Sequence, residues 1–333
     1  MAYGITRERK LQIGLESSAG TAVAATRVWR GPAGSIVDSQ ERVLVNENIG
    51  YAGRVARSYL PSTICNYAMP ETEATFEGLP IILSASIDDI VAGSGVGSTP
   101  EAYSYTYAVP TTNGAAATKY YTLEAGNNQQ AYEMEYSFVP DWSLKGAQNT
   151  ALMVSANWQG RQKTATTFTG ALTAPMVEEI LFNKGKLYYD SASMGDTVQT
   201  GSWLGFNLNY VSGWKAVYTG DGNLYWSLPV FKGATITGDI TLEDSTLAAT
   251  IKGHQAAGTT GLMRWLFEGS TTGAGGTYQK KTFRADMAVT WLSVPGNESQ
   301  DDDDIVTFPF ECVISGANYC TFLAVNSLAA IVT

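Results

Sequence analysis

A single histidine, His254, stands in a chain of 333 residues, and its three cysteines, Cys65, Cys312 and Cys320, form no C-x-x-C pair. Metal centres and nucleophilic triads need several such groups brought together. An odd, scattered set of cysteines implies neither a disulfide framework nor a zinc site, and suits a reducing compartment. Charged side chains are scarce as well, at 16%, against roughly a quarter in average soluble chains. Cations are the scarcer sign: 21 Lys and Arg face 31 Asp and Glu, for a formal charge of −10 and a pI near 4.7. A protein that grips phosphates through counterion release needs the opposite balance. An acidic chain can still surround nucleic acid without adhering to it, since like charges repel over about 8 Å. No apolar run approaches the ~20 residues of a membrane-spanning helix. The opening "MAYGITRERKLQIGL" has basic residues but not the roughly 7–15 apolar residues of a secretory leader, so the expectation is a soluble chain with no export signal.

What the chain does have is glycine and aromatic residues, with 34 Gly, 18 Tyr and 8 Trp, a composition that favours strands and tight turns. Period-two alternation dominates. It places Tyr132, Met134, Tyr136 and Phe138 on one face, and likewise Leu152, Val154, Ala156 and Trp158. The same pattern sets Leu204, Phe206, Leu208 and Tyr210 together, and then Phe283, Ala285, Met287, Val289 and Trp291. Each reads as a half-buried antiparallel strand, and turn signals such as Gly126-Asn127-Asn128 and Asp221-Gly222-Asn223 separate them.

Two segments read as short helices. "LPIILSASIDDI" spaces Leu79, Ile82, Leu83, Ile87 and Ile90 helically, with Pro80 tolerable in the first turn. "TTGLMRWLFEG" offers Thr260 as a cap and aligns Leu262, Trp265 and Leu266. A Gly-rich link follows each, at 93–95 and at 273–276. After the first come the strands "YSYTYAVP" and "AYEMEYSFV"; after the second, "TFRADMAVTWLSVP" and "IVTFPFECVI". An order that occurs twice is the mark of a duplicated domain. The expected class is mainly β, with domains at 1–170 and 171–333, each a β-sandwich with a short flanking helix.

Candidate chemistry is thin. "GSGVGS" at 93–98 follows a helix, whereas the dinucleotide fingerprint needs a strand, then G-x-G-x-x-G, then a helix. "GAGGTYQKKT" misses the Walker spacing. His254, in the Gly-flanked stretch "TIKGHQAAG", reads as a surface or loop residue. "NESQDDDD" lacks the alternating ligands and central glycine of a calcium loop, so Asp301, Asp302, Asp303 and Asp304 read as a solvated acidic loop. Tyr103, Tyr105 and Tyr107 alternate in one strand, as packing residues commonly do. No catalytic, metal or cofactor residue is assigned.

With those residues weighed, the opening stretch "LQIGLESSAGTAVAAT" becomes informative. With Ile13, Gly14, Glu16, Gly20 and Thr21 in order, it resembles the N-terminal signature of tail tube proteins from long-tailed bacteriophages. "MPETEATFEGLPIIL" (69–83), "YEMEYSFVPDWSLKG" (132–146), "ALMVSANWQGRQ" (151–162), "KLYYD" (186–190) and "ITGDITLED" (236–244) resemble that family's later segments in the same order. The resemblance spans most of the chain. It implies two tandem tail-tube β-sandwich domains and no enzyme activity or cofactor. It also implies a structural virion protein whose trimeric, pseudo-hexameric rings stack into a tube that conducts DNA at ejection. The partners it implies are further copies of the chain and the tape-measure, tail-tip and tail-terminator proteins. DNA would pass through without tight binding, no membrane would be involved, and the protein would be assembled in the host cytoplasm and reside in the virion tail.

Two expectations concern the subunit interface. The small residues around Gly20, with Glu16, Thr21, Ala22 and Ala24, permit close backbone approach, so 11–30 is expected to meet a neighbouring subunit. Asp301–Asp304 is expected at an inter-ring or solvent-facing tip, since adjacent carboxylates hydrate most easily on a loop. The competing reading is a carbohydrate-binding or adhesin-like β-sandwich that uses Tyr103, Tyr105, Trp203 and Trp214.

Overall fold

The computed structural model describes residues 4–97, 102–273, 275, 278–294, 296–300 and 302–332. Ala274 and Gly276 of the second glycine link, and Asp301 of the acidic loop, lie outside them. Strands take up 49% of the chain and helices 8%, so alternation identified the class correctly. Twelve strands frame the fold. The first six are β1 (Lys10–Leu15), β2 (Ile36–Ser39), β3 (Ile64–Glu73), β4 (Tyr121–Gly126), β5 (Ala131–Ala147) and β6 (Met153–Gly160). The next six are β7 (Gly185–Asp190), β8 (Trp203–Val211), β9 (Thr235–Glu243), β10 (Gly261–Thr271), β11 (Lys280–Trp291) and β12 (Asp303–Cys312). The helices are α1 (Leu79–Ser84) and α2 (Thr246–Ala257).

One pairing order occurs twice. The first six strands run β1-β4-β5-β6-β3-β2, every pair antiparallel. The second six run β7-β10-β11-β12-β9-β8, also antiparallel throughout. Each strand of the second set therefore repeats the strand numbered six lower. The helix also recurs in place, between the third and fourth strand of each set. The two sets are joined edge to edge where β5 pairs with β8, from Asp141↔Val211 to Ala147↔Gly205.

β5 is long enough to serve two layers. Its first part pairs with β4 and with Lys163–Thr166, and its second with β6 and β8. The change of direction falls at Tyr136, whose φ of 54° lies in the left-handed region, within the register shift at Met134/Ser137 and just before the one at Phe138/Asp141. A bulged strand bends and turns its side chains to a new layer. Inward side chains of the second layer, Trp142, Leu144, Val154, Trp158, Phe206, Leu208, Ile240, Phe308 and Phe310, are all buried. Each large apolar side chain buried in this way contributes roughly 1.5–3 kcal/mol. The sheet curls around this core like a barrel wall, yet among the described residues β2 pairs with β3 alone and Glu298–Gln300 with β12 alone, which leaves both as edges.

Four expectations need correction. The second helix predicted over 259–269 is the strand β10. Met263, Trp265 and Phe267 are buried at alternate positions, and β7 and β11 supply ladders on both sides. Because Leu262 and Leu266 fill the intervening positions, the apolar pattern carried both periods, and tertiary pairing decided between them. The true second helix is α2, so His254 lies in a helix and not in a loop; Ser245 caps the start, its side chain accepting from the Ala248 N–H, and Gly258 ends it at φ 66°. The first helix is present but stops at Ser84. The correspondence between the sets also differs from the expected one: "AYEMEYSFV" in β5 matches "TFRADMAVTWL" in β11. The Ala102–Ala108 strand, which holds the tyrosine series, is an addition that pairs with Cys320–Asn326.

Candidate functional site

Because β3, β6, β5, β8, β9 and β12 lie side by side, alternate residues of all six form one broad outward face. Its side chains include Asn66, Ala68, Glu71 and Glu73 on β3, Ser155, Asn157 and Gln159 on β6, and Asp141, Ser143 and Lys145 on β5, with Met153 and Val211 as apolar members. Asn207 and Asn209 follow on β8, Thr237, Asp239, Thr241 and Glu243 on β9, and Thr307, Pro309 and Glu311 on β12; none of these is buried. Short polar side chains dominate, and they are cross-linked between strands. Ser143 and Ser155 share a hydroxyl hydrogen bond of 2.8 Å, Asn157 donates to Asp141 at 2.6 Å, and Thr241 and Thr307 meet at 3.0 Å. Lys145 donates to Glu71 at 3.0 Å. The carboxylates Glu71, Glu73, Asp141, Asp239, Glu243 and Glu311 are opposed on this face by one ammonium, Lys145. Partial burial raises Asp239 above its usual carboxylate range, against the hydrogen bond from Asn207.

Such a wall suits weak contact with an anion. The donors of Lys145, Asn157 and Asn207 are held by neighbouring carboxylates, and the net charge of the face repels phosphate. Among the described residues no group of three or more His, Cys, Asp or Glu side chains is placed to hold a metal, and no helix is long and apolar enough to cross a membrane. A cleft of about 1010 Å³ lies between the 126–131 turn and Ala165–Phe168, with Glu8 and Lys10 as its ionisable residues. His254 is absorbed in packing: its Nδ1 lies 2.7 Å from the Tyr189 hydroxyl, which also accepts from Trp291 Nε1 at 2.9 Å.

A second cluster binds the two sets of strands together. Glu77, just before α1 and 1% exposed, meets Lys281 of β11 at 2.6 Å, and Lys281 also reaches Glu178 at 3.3 Å. Glu77 accepts in addition from the Glu178 N–H at 2.9 Å, and Glu178 from the Ser270 N–H at 2.8 Å. Arg27 donates to the Glu77 carbonyl at 3.0 Å and to the carbonyl of Ile331. These residues come from both ends of the chain and from between them, so their spacing in the sequence gave no signal.

The residues expected at an interface divide into two groups. Glu16 is 7% exposed and occupied within its own chain, where its carboxylate accepts from the N–H groups of Gly20 (2.7 Å) and Tyr136 (2.6 Å) and from the Thr122 hydroxyl (3.0 Å). Burial raises its pKa despite these bonds. Gly20 sits at φ 75°, with its carbonyl 2.6 Å from Arg161 Nη2, and an added Cβ would lie 2.7 Å from that guanidinium. Thr21, Ala22 and Ala24 are exposed. Asp302, at φ 69°, Asp303 and Asp304 are exposed at a tight turn joining Glu298–Gln300 to β12. Of the aromatics in the adhesin reading, Tyr105 is buried with its hydroxyl on the Leu328 carbonyl, Trp203 stacks on Phe206 and Trp265, and Trp214 packs on Phe231. No protein-family model matches the chain, and a comparison with curated proteins finds no match.

Proposed function

We propose that the chain is a structural subunit of a bacteriophage tail tube, a non-catalytic protein whose copies close into rings that stack around a DNA conduit. The observation that carries this reading is the edge-to-edge join of β5 with β8 between two sets of identical pairing order. In the second set β11 and the Glu298–Gln300 strand occupy the place of β5, and in the first set β2 occupies the place of β8. The chain thus ends at one side in the kind of edge that it joins internally, and at the other in its complement. A contact of two different surfaces repeated between copies closes into a ring or runs on as a filament. With two sets per chain, three copies make six, the ring that the motif resemblance implies.

Ring closure would place the acidic, serine- and threonine-rich face on the inside, where a passing duplex needs a wall that does not hold it. Tape-measure protein before ejection and DNA during it are the occupants of that channel in this reading, with tail-tip and tail-terminator proteins at its ends. Negative-stain micrographs of the purified protein test it. Rings or tubes with a stain-filled axial channel are expected; discrete particles without a channel, at every concentration and salt, would overturn it.

A further inference from the structure

The repeat extends to a hairpin between the second and third strand of each set, and only one of the two hairpins is seated. Between β8 and β9, Trp214–Val217 pairs with Leu228–Phe231, and the arm between them folds back on the first set. Trp226 is fully buried there. Its Nε1 donates to the Gly160 carbonyl at 2.8 Å, and its ring meets Tyr136 at 4.6 Å and Phe138 at 5.7 Å. The Thr63 N–H donates to the Leu224 carbonyl at 2.9 Å, and Tyr218 donates to the Thr63 carbonyl at 2.9 Å. The seat is therefore the end of β6 beside the start of β3.

The corresponding arm of the first set lies between β2 and β3, where Val43–Leu44 pairs with Ser58–Tyr59. Its apolar side chains face solvent: Tyr51 is 75% exposed, and Val43, Leu44, Ile49 and Tyr59 are exposed too. The corresponding seat is the end of β12 beside the start of β9. Pairing sets this equivalence, since Gly160 lies opposite Cys65 while Glu311, one residue before Cys312, lies opposite Thr237, one residue after Ile236. At that place there is a cleft of about 710 Å³, walled by Phe231, Ala234, Cys312, Val313 and Ile314 among others, with Ile314 61% exposed. An unseated arm with exposed apolar side chains and a cleft of mixed lining, apolar along Phe231, Val313 and Ile314 and polar at Asn113 and Lys232, thus lie on the two sets of strands, in the relation that the chain already satisfies once internally.

We infer that the 40–63 arm of one copy seats in the cleft at the end of β12 of a second copy of this chain, as the 212–234 arm seats at the end of β6. The exposed apolar residues of arm and cleft are then covered together, the hydrophobic gain that drives association. The inference rests on the self-assembly reading above, and it adds which segment of one copy enters which cleft of the next.

The test is a benzophenone amino acid placed at Tyr51 or at Tyr59 in the full-length chain, irradiated in a mixture of isotope-labelled and unlabelled copies. Cross-linked peptides that join different copies and contain residues 231–234 or 312–319 are expected. In parallel, Ile314→Asp should raise the concentration at which oligomers appear by at least tenfold, with the monomer's circular dichroism and melting unchanged. Oligomers whose cross-links land elsewhere, or that form equally well with Ile314→Asp, would overturn the arm and leave the ring reading standing. A wild-type chain that stays monomeric at every concentration would overturn both.

Discussion

Glu77 and Lys281 show how single residues hold the two sets of strands together. The Glu77 side chain is 1% exposed and that of Lys281 17%, at 2.6 Å, so removing the carboxylate leaves the ammonium, in a poorly hydrated place, with Glu178 at 3.3 Å as its remaining carboxylate. Breaking a buried pair from one side costs about 3 kcal/mol or more. Glu77→Gln should therefore lower the urea midpoint by the equivalent of about 3 kcal/mol at unchanged slope; a loss under about 1 kcal/mol would put the pair among ordinary surface bridges. Glu178 adds a pH signature. Burial alone would raise its pKa, but the hydrogen bonds from Ser270 and Lys281 outweigh burial and hold it below the usual 4.5. A depressed folded value means stability that is present above about pH 4.5 and lost as pH falls through the folded pKa. Glu178→Gln should accordingly cost stability at pH 7 and progressively less toward pH 3, in urea titrations across that range. A cost that does not change with pH would contradict the assignment.

Among the elements, the 212–234 arm is fastened by one side chain more than by its own ladder of four residue pairs. Truncating a fully buried tryptophan costs about 3–5 kcal/mol through lost contacts and the cavity left behind. Trp226→Ala should cost that much in equilibrium unfolding and expose the arm to limited proteolysis between Val217 and Leu228. An arm that stays protected would mean that other contacts hold it. The same scale explains what the sequence could disclose. Strands such as β6 and β11 were legible with their inward faces correct, because alternation is local and Val154, Trp158, Phe283 and Met287 record it directly. α2 was missed because "TLAATIKGHQAA" carries small residues and an internal Gly253 in place of a marked apolar stripe, while its cap at Ser245 is a common residue in any loop. β10 was misread because its leucines satisfied the helical spacing while its aromatics satisfied the strand's. The outward face was not legible at all. Asp141, Asn157 and Glu311 come together only through register between strands far apart in the chain, and register is set by pairing partners that no local window contains.

For the whole molecule, the distribution of charge matters more than its sum. A net charge of −10 also keeps subunits soluble, but the outward face alone carries six carboxylates and one lysine. If that face lines a conduit, its sign governs adhesion. The triple substitution Asp141→Lys, Asp239→Lys and Glu311→Lys should make the assembled protein retain duplex DNA at low salt. Release should steepen with salt by about 0.9 in log–log slope per phosphate neutralised, and no retention is expected of the native protein. Equal retention by both in a filter-binding titration would place the face away from the DNA path. If copies join as the two sets of strands join inside one chain, cryo-electron microscopy of the assembled protein viewed down its axis will display the junction. The expected image is a ring of six similar lobes with threefold symmetry, in which β2 of each copy continues the sheet at the Glu298–Gln300 edge of the next. A twofold dimer, or a ring in which those two edges face solvent, would contradict it.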